Sequence, residues 1–120
     1  MAKTARRWSS LDKAAVRLLA RIREDDLRDL SYRQMAKMTG MTPSRLSGLF
    51  LETMWPPTLD EFCTLCELFD KSAPQTLQSA IIESRREDRE REALRRAASG
   101  DYGLAAYDDD GRWGNGDEYE

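Results

Sequence analysis

The feature that most constrains the fold of this chain is the pattern of small and apolar residues within residues 31–51. Ala36 and Gly40 are four residues apart, a spacing that lets two helices approach closely and gives the turn between them a residue that accepts positive φ. Leu46 and Leu49 follow at a spacing that anchors one face of a second helix. The pattern therefore predicts two short helices that cross at a tight turn.

Helix-capping residues support this interpretation. Ser31 is followed three residues later by Gln34, which is the sequence signature of a capping box and predicts a helix from about Tyr32. Thr42 precedes Pro43, which predicts a hydroxyl N-cap and a proline at the first helical position, where its missing N–H costs nothing. An ordinary αα-hairpin inside a helical core is the alternative that these residues leave open.

The segment resembles the lambda-repressor-like DNA-binding domains of Cro/C1-type regulators, the xenobiotic-response-element (XRE) family of bacteria and phages. The residues that carry the resemblance are Gly40-Met41, Ser44 and Leu49-Phe50. It covers about residues 9–80 and is loose outside the central motif. The resemblance implies an all-α, five-helix fold in which helices 2 and 3 form a helix-turn-helix that contacts DNA.

In such a motif, the second helix enters the major groove and the first helix lies against the phosphate backbone. We expect Arg45 to bind guanine through two hydrogen bonds, and the resemblance implies that Ser44 contacts a base. Small residues on helix 3 would let its backbone approach the groove. The predicted DNA-binding residues are Tyr32, Arg33, Lys37, Thr42, Pro43, Ser44, Arg45, Ser47 and Gly48.

The chain departs from the family pattern at two places. Tyr32 and Pro43 stand where the family has glutamines that cooperate in base contact, so that paired contact cannot form. Glu52 replaces the glycine that commonly follows the recognition helix, and the loop at residues 52–57 contains no basic residue. Phosphate binding by this loop should therefore be weak.

The charge of the chain is unevenly distributed. The net charge of −3 combines a basic first part, residues 1–47 with a net of +6, and an acidic end, residues 101–120 with a net of −6. A basic surface attracts nucleic acid, so the acidic average does not exclude DNA binding.

Signs of other protein classes are missing from the sequence. The chain has no histidine, P-loop or dinucleotide-binding glycine pattern, so we expect no enzyme and no cofactor. Cys63 and Cys66 form a single CxxC pair, which is too few ligands for a zinc site, and both are expected in the core. Neither a long apolar run nor a secretory signal is present, which predicts a cytoplasmic, nucleoid-associated protein of a bacterium or a phage-infected cell.

Composition divides the chain into four parts. They are a basic N-terminal arm (1–8), the helix-turn-helix domain (9–82), a charged helical extension (83–98) and a flexible acidic tail (99–120). The arm either has no role or contacts phosphates. The extension is expected to be solvent-exposed, with a dimerisation stalk as the alternative. The tail is expected to be without function, although its aromatic residues would allow it to bind a partner or the basic face.

We interpret the chain as a sequence-specific transcriptional regulator, most simply a phage or prophage-type repressor that occupies an operator. Because one domain binds duplex DNA weakly, we expect a homodimer, with Ile81, Ile82 and Leu94 as the candidate interface. An antitoxin or other protein-interaction module with the same fold is the first alternative. A purely structural helical module is the second.

Overall fold

The computed structural model describes residues 6–100, which form five α-helices and no strand. The helices are α1 (Ser10–Asp25), α2 (Tyr32–Thr39), α3 (Pro43–Phe50), α4 (Leu59–Leu68) and α5 (Ala73–Ser99). The expected all-α class is therefore confirmed. Across residues 6–100, no helix combines the length and the apolar composition that crossing a membrane requires.

The first four helices begin at caps that satisfy their unpaired backbone N–H groups. Capping boxes form at the N-termini of α1, α2 and α4, with Ser9, Ser31 and Thr58 as the N-cap residues. Thr42 caps α3, where its hydroxyl oxygen accepts a hydrogen bond from the Arg45 N–H at 3.0 Å. Gly40 ends α2 at a φ of 80°, a left-handed conformation that favours glycine.

The core lies where α1 and α2 both pack against α3 and α4. Met35 on α2, Leu46 on α3 and Cys66 on α4 are fully buried there. α2 and α3 pack against each other, and the inner faces of both helices contribute side chains to this cluster. Burial of this apolar surface supplies the main stabilisation of the fold.

The first part of α5 also belongs to this core. Ala80 is fully buried, and Leu77 packs against the cluster from one turn earlier. Ile81 is half-buried, whereas Ile82 is 62% exposed. Of the residues proposed for a dimer interface, Ile82 and Leu94 thus have the exposure that an interface requires.

The chain divides into two units, Met1–Arg86 and Glu87–Glu120, and the division falls within α5. In the second unit, the described residues belong to α5 and Gly100 and carry ion pairs one helical turn apart, such as Arg91–Asp88 and Arg95–Glu92. Exposed pairs of this kind contribute little individually. The predicted acidic tail lies, from residue 101 onward, outside the described residues.

Candidate nucleic-acid interface

Five of the predicted residues are exposed, two of them along α2 and three where α3 begins. Arg33 and Lys37 are exposed and lie four residues apart on α2, so they share one face of that helix. Thr42, Pro43 and Ser44 are exposed where α3 begins. We call these five residues, together with the half-buried Ser47, the α2–α3 face. No acidic residue occurs between residues 32 and 50, so this surface is basic.

Tyr32 lies beside this face in a packing role. Its ring stacks on Phe50 at a centroid distance of 6.0 Å, and the Arg23 guanidinium lies 4.5 Å from the ring centroid. Arg23 also donates a hydrogen bond to the Leu30 carbonyl at 3.1 Å. Tyr32 therefore joins the start of α2 to the end of α1 and the end of α3.

Arg45 does not lie on the exposed side of α3, contrary to the sequence-based expectation. It is only 7% exposed, and its guanidinium faces the loop that follows α3. Nε and Nη2 donate to the two carboxylate oxygens of Glu61 at 2.9 and 2.8 Å. Nη1 and Nη2 donate to the backbone carbonyls of Trp55 and Pro56 at 2.8 and 2.9 Å. In this conformation the guanidinium is taken up by these partners, so the expected exposure of Arg45 on the outer side of α3 is not observed.

We call Arg45, Glu61, Trp55 and Pro56 the Arg45 clamp. The indole of Trp55 covers the guanidinium at 4.4 Å from the ring centroid, while Glu61 also accepts the backbone N–H of Thr58 as part of the α4 capping box. Hydrogen bonds from Arg45 lower the pKa of Glu61 below its ordinary value, against the opposing effect of burial. The clamp thus fixes the loop between α3 and α4 to both helices.

Gly48 is also buried, so it does not lie on the exposed side of α3 as expected. The side chain of Met54 lies over it, so closely that an added Cβ would come within 2.5 Å of Met54 Cγ. The backbone N–H groups of Thr53 and Met54 point to the Gly48 carbonyl, at 2.9 and 3.4 Å. Gly48 therefore lets the loop after α3 approach that helix closely.

The same loop is fixed from the N-terminal side. Trp8 Nε1 donates to the Met54 carbonyl at 2.7 Å, and Arg6 donates to the Pro57 carbonyl at 2.8 Å. The described part of the basic arm thus contacts the loop, while Lys3 lies outside the described residues. Glu52 adopts a φ of 58° and pairs with Arg17 at 3.0 Å.

The two cysteines occupy different environments on α4. Cys66 is fully buried, as expected, and burial raises the pKa of its thiol. Cys63 is exposed, so the prediction that both lie in the core is wrong for this residue. Within residues 6–100, no group of three or more histidine, cysteine, aspartate or glutamate side chains is arranged to hold a metal ion.

No protein-family model matches the chain, and comparison with curated proteins and with solved structures yields no significant match. The resemblance to Cro/C1-type regulators therefore stays a prediction. What can be said of the site comes from its own geometry, namely a basic, exposed surface formed by α2 and the start of α3, two helices that pack against each other.

Sequence reasoning missed Glu61 and Trp55 as partners of Arg45. A partial signal was present, because Arg45 lies four residues before the buried Leu49 and so stands beside the inner face of α3. Glu61 lies three residues after Thr58, a spacing that indicates a capping role alone. Its second role depends on a contact across 16 positions of the chain, which no local pattern encodes.

Proposed function

We propose that this chain is a sequence-specific DNA-binding protein of the helix-turn-helix class, most simply a repressor that acts by occupying an operator. The proposal is supported mainly by the exposure and the charge of the residues on the α2–α3 face. Thr42, Pro43 and Ser44 are exposed at the start of α3, and the exposed cations Arg33 and Lys37 lie on α2. This combination suits a helix that reads base edges beside a helix that binds phosphate.

The size and charge of this surface determine how it would bind. Arg45 is neutralised by Glu61, so Arg33 and Lys37 are the cations that α2 and α3 offer to phosphate. Two cations give weak non-specific attraction. A homodimer on a palindromic operator would double these contacts, and the exposed Ile82 is the candidate to lie in its interface.

Selection of bound duplexes from a random DNA pool, followed by a salt titration, tests the proposal. We expect an enriched motif and an affinity that falls as the salt concentration rises. A symmetric motif would indicate a dimer. Failure to enrich any duplex, with the protein folded, would contradict DNA recognition.

A second candidate function is a protein-interaction module, such as an antitoxin. The observation that favours it is an exposed apolar patch on the loop after α3, where Leu51 is 63% and Trp55 is 56% exposed. Replacement of Leu51 with Ser distinguishes the two functions. A DNA-binding protein should keep its affinity for the selected duplex, whereas an interaction module should lose a partner identified with the wild-type chain.

A further inference from the structure

The exposed side of α3 carries small hydroxyl and apolar groups and no charge. Pro43 and Ser44 are exposed and Ser47 is half-buried, whereas Arg45, the one charged residue of this helix, is buried in the Arg45 clamp. Asparagine, glutamine and lysine do not occur in α3. The helix therefore offers no side chain able to form two hydrogen bonds with a single base.

Hydroxyl groups on this face would distinguish bases poorly. A serine hydroxyl both donates and accepts, so Ser44 and Ser47 can pair with the edges of several bases. The 5-methyl group of thymine is different, because it is the base feature of the major groove that apolar side-chain atoms recognise. Discrimination between bases by α3 should therefore depend on contact between apolar side-chain atoms and the thymine 5-methyl group.

Thr42 and Pro43 supply the apolar atoms at this position. The Thr42 hydroxyl oxygen accepts the Arg45 N–H at 3.0 Å as the N-cap of α3, and the γ-methyl is the apolar group that this exposed residue carries. The exposed pyrrolidine ring of Pro43 lies next to it in the chain. The small side chains of Ser44 and Ser47 would let these groups approach base edges closely.

We propose that α3 recognises base pairs containing thymine, through contact of Thr42 and Pro43 with the thymine 5-methyl group. In this account Arg45 holds the loop and does not read guanine, while Arg33 and Lys37 bind phosphate. The inference rests on the proposed DNA-binding function and names the feature of the duplex that the site distinguishes.

Removal of single methyl groups from the DNA tests this proposal. The full chain is titrated with the selected duplex, in which each thymine in turn is replaced by uracil, so that pairing is kept and only the 5-methyl group is lost. We expect the affinity to fall roughly three- to tenfold at one or more positions, in line with the loss of one buried methyl contact. No loss at any position would overturn the proposal.

The matched protein variant is Thr42→Ser, which keeps the capping hydroxyl and removes the γ-methyl. At one of the sensitive positions, this variant should bind the thymine and uracil duplexes equally well. If Thr42→Ser loses as much affinity as the wild type at every position where uracil replaces thymine, Thr42 is excluded as the contact and its assignment is overturned.

A second set of duplexes tests guanine recognition. Replacement of guanine by 7-deazaguanine removes the N7 acceptor that an arginine would use. At the base pairs that α3 contacts, we expect this replacement to leave the affinity of the chain for the duplex unchanged. Sensitivity to 7-deazaguanine without sensitivity to uracil would overturn the inference while leaving DNA binding intact. If selection enriches no duplex at all, the proposed function itself fails.

Discussion

At the scale of single residues, Arg45 shows how one side chain can stabilise a loop and an adjoining helix. Its guanidinium satisfies the carboxylate of Glu61 and two backbone carbonyls that would otherwise lack these donors. Removing one partner of a buried charged pair is costly, because the remaining charge keeps its desolvation penalty. We therefore expect substitution of Arg45 to lower the stability of the fold. Any loss of DNA binding would follow from that loss of stability.

We predict that Arg45→Met lowers the free energy of unfolding by about 3 kcal/mol. Methionine retains much of the side-chain volume but leaves Glu61 and the carbonyls of Trp55 and Pro56 without their donor. Urea unfolding monitored by circular dichroism measures the change. Arg85→Met, at an exposed arginine of α5, is the matched control and should change stability by no more than about 0.5 kcal/mol. Equal stability of the two variants would show that the clamp contributes nothing.

Glu61 gives this interaction a pH dependence. Because the pKa of Glu61 is lower in the folded chain than its ordinary value of 4.5, its ionised form stabilises the fold above that pH. The contribution is lost as the pH falls through the lower, folded-state pKa. We therefore predict that Glu61→Gln destabilises the protein at pH 7 and that the difference from wild type shrinks below about pH 4.5.

Urea unfolding of both proteins between pH 7 and pH 3 measures this difference. Glu67→Gln, on the exposed side of the same helix, is the control for loss of one negative charge. A difference between wild type and Glu61→Gln that stays constant over the whole range would contradict the account.

At the scale of elements, the parts of the fold that could be predicted are those encoded locally. The N-caps of α2 and α3 and the turn at Gly40 depend on residues within four positions of one another, and each is confirmed. The orientations of Arg45 and Gly48 could not be predicted in the same way. They depend on a loop that folds back over α3 through Trp55 and Met54, and such contacts have no local pattern.

The α2 element supplies the cations of the proposed interface. We predict that Arg33→Ala combined with Lys37→Ala weakens DNA binding by a similar factor for all sequences, because phosphate contacts carry no base information. If each cation contacts one phosphate per domain, the slope of log affinity against log salt should become shallower by about 1.8 for each domain bound. Fluorescence anisotropy at several salt concentrations measures both quantities.

The control for this double variant is Lys71→Ala combined with Arg85→Ala, which removes the same charge from exposed positions on other parts of the chain. Its affinity should stay within about threefold of wild type, since screening weakens distant charges. Equal losses in the two double variants would mean that overall charge, and not the α2–α3 face, determines binding.

At the scale of the whole molecule, opposite charges are concentrated in different parts of the chain. Residues 1–47 carry a net charge of +6 and residues 101–120 a net charge of −6. If the chain binds DNA as proposed, we expect the negative charge of residues 101–120 to oppose that binding, because like charges repel and the repulsion is weakened only by salt.

We predict that deletion of residues 101–120 raises DNA affinity at low salt by roughly threefold or more, and that the gain fades as salt screens the charges. Among the described residues, the core cluster runs from Trp8 to Ala80, ahead of the deleted segment. The thermal unfolding midpoint should therefore stay unchanged. Lower affinity after deletion would indicate that this segment takes part in binding instead of opposing it.

The most direct test of the central claim, that the α2–α3 face binds duplex DNA, is the affinity of Ser44→Glu for the selected duplex. Ser44 is exposed in the first turn of α3, where an acidic side chain suits the helix dipole and should not unfold the protein. Gln75→Glu places the same charge in the first turn of α5 and is the matched control. We expect Ser44→Glu to weaken binding at least about tenfold, equivalent to about 1.4 kcal/mol, and Gln75→Glu to bind as wild type does. Wild-type affinity in Ser44→Glu would contradict the claim.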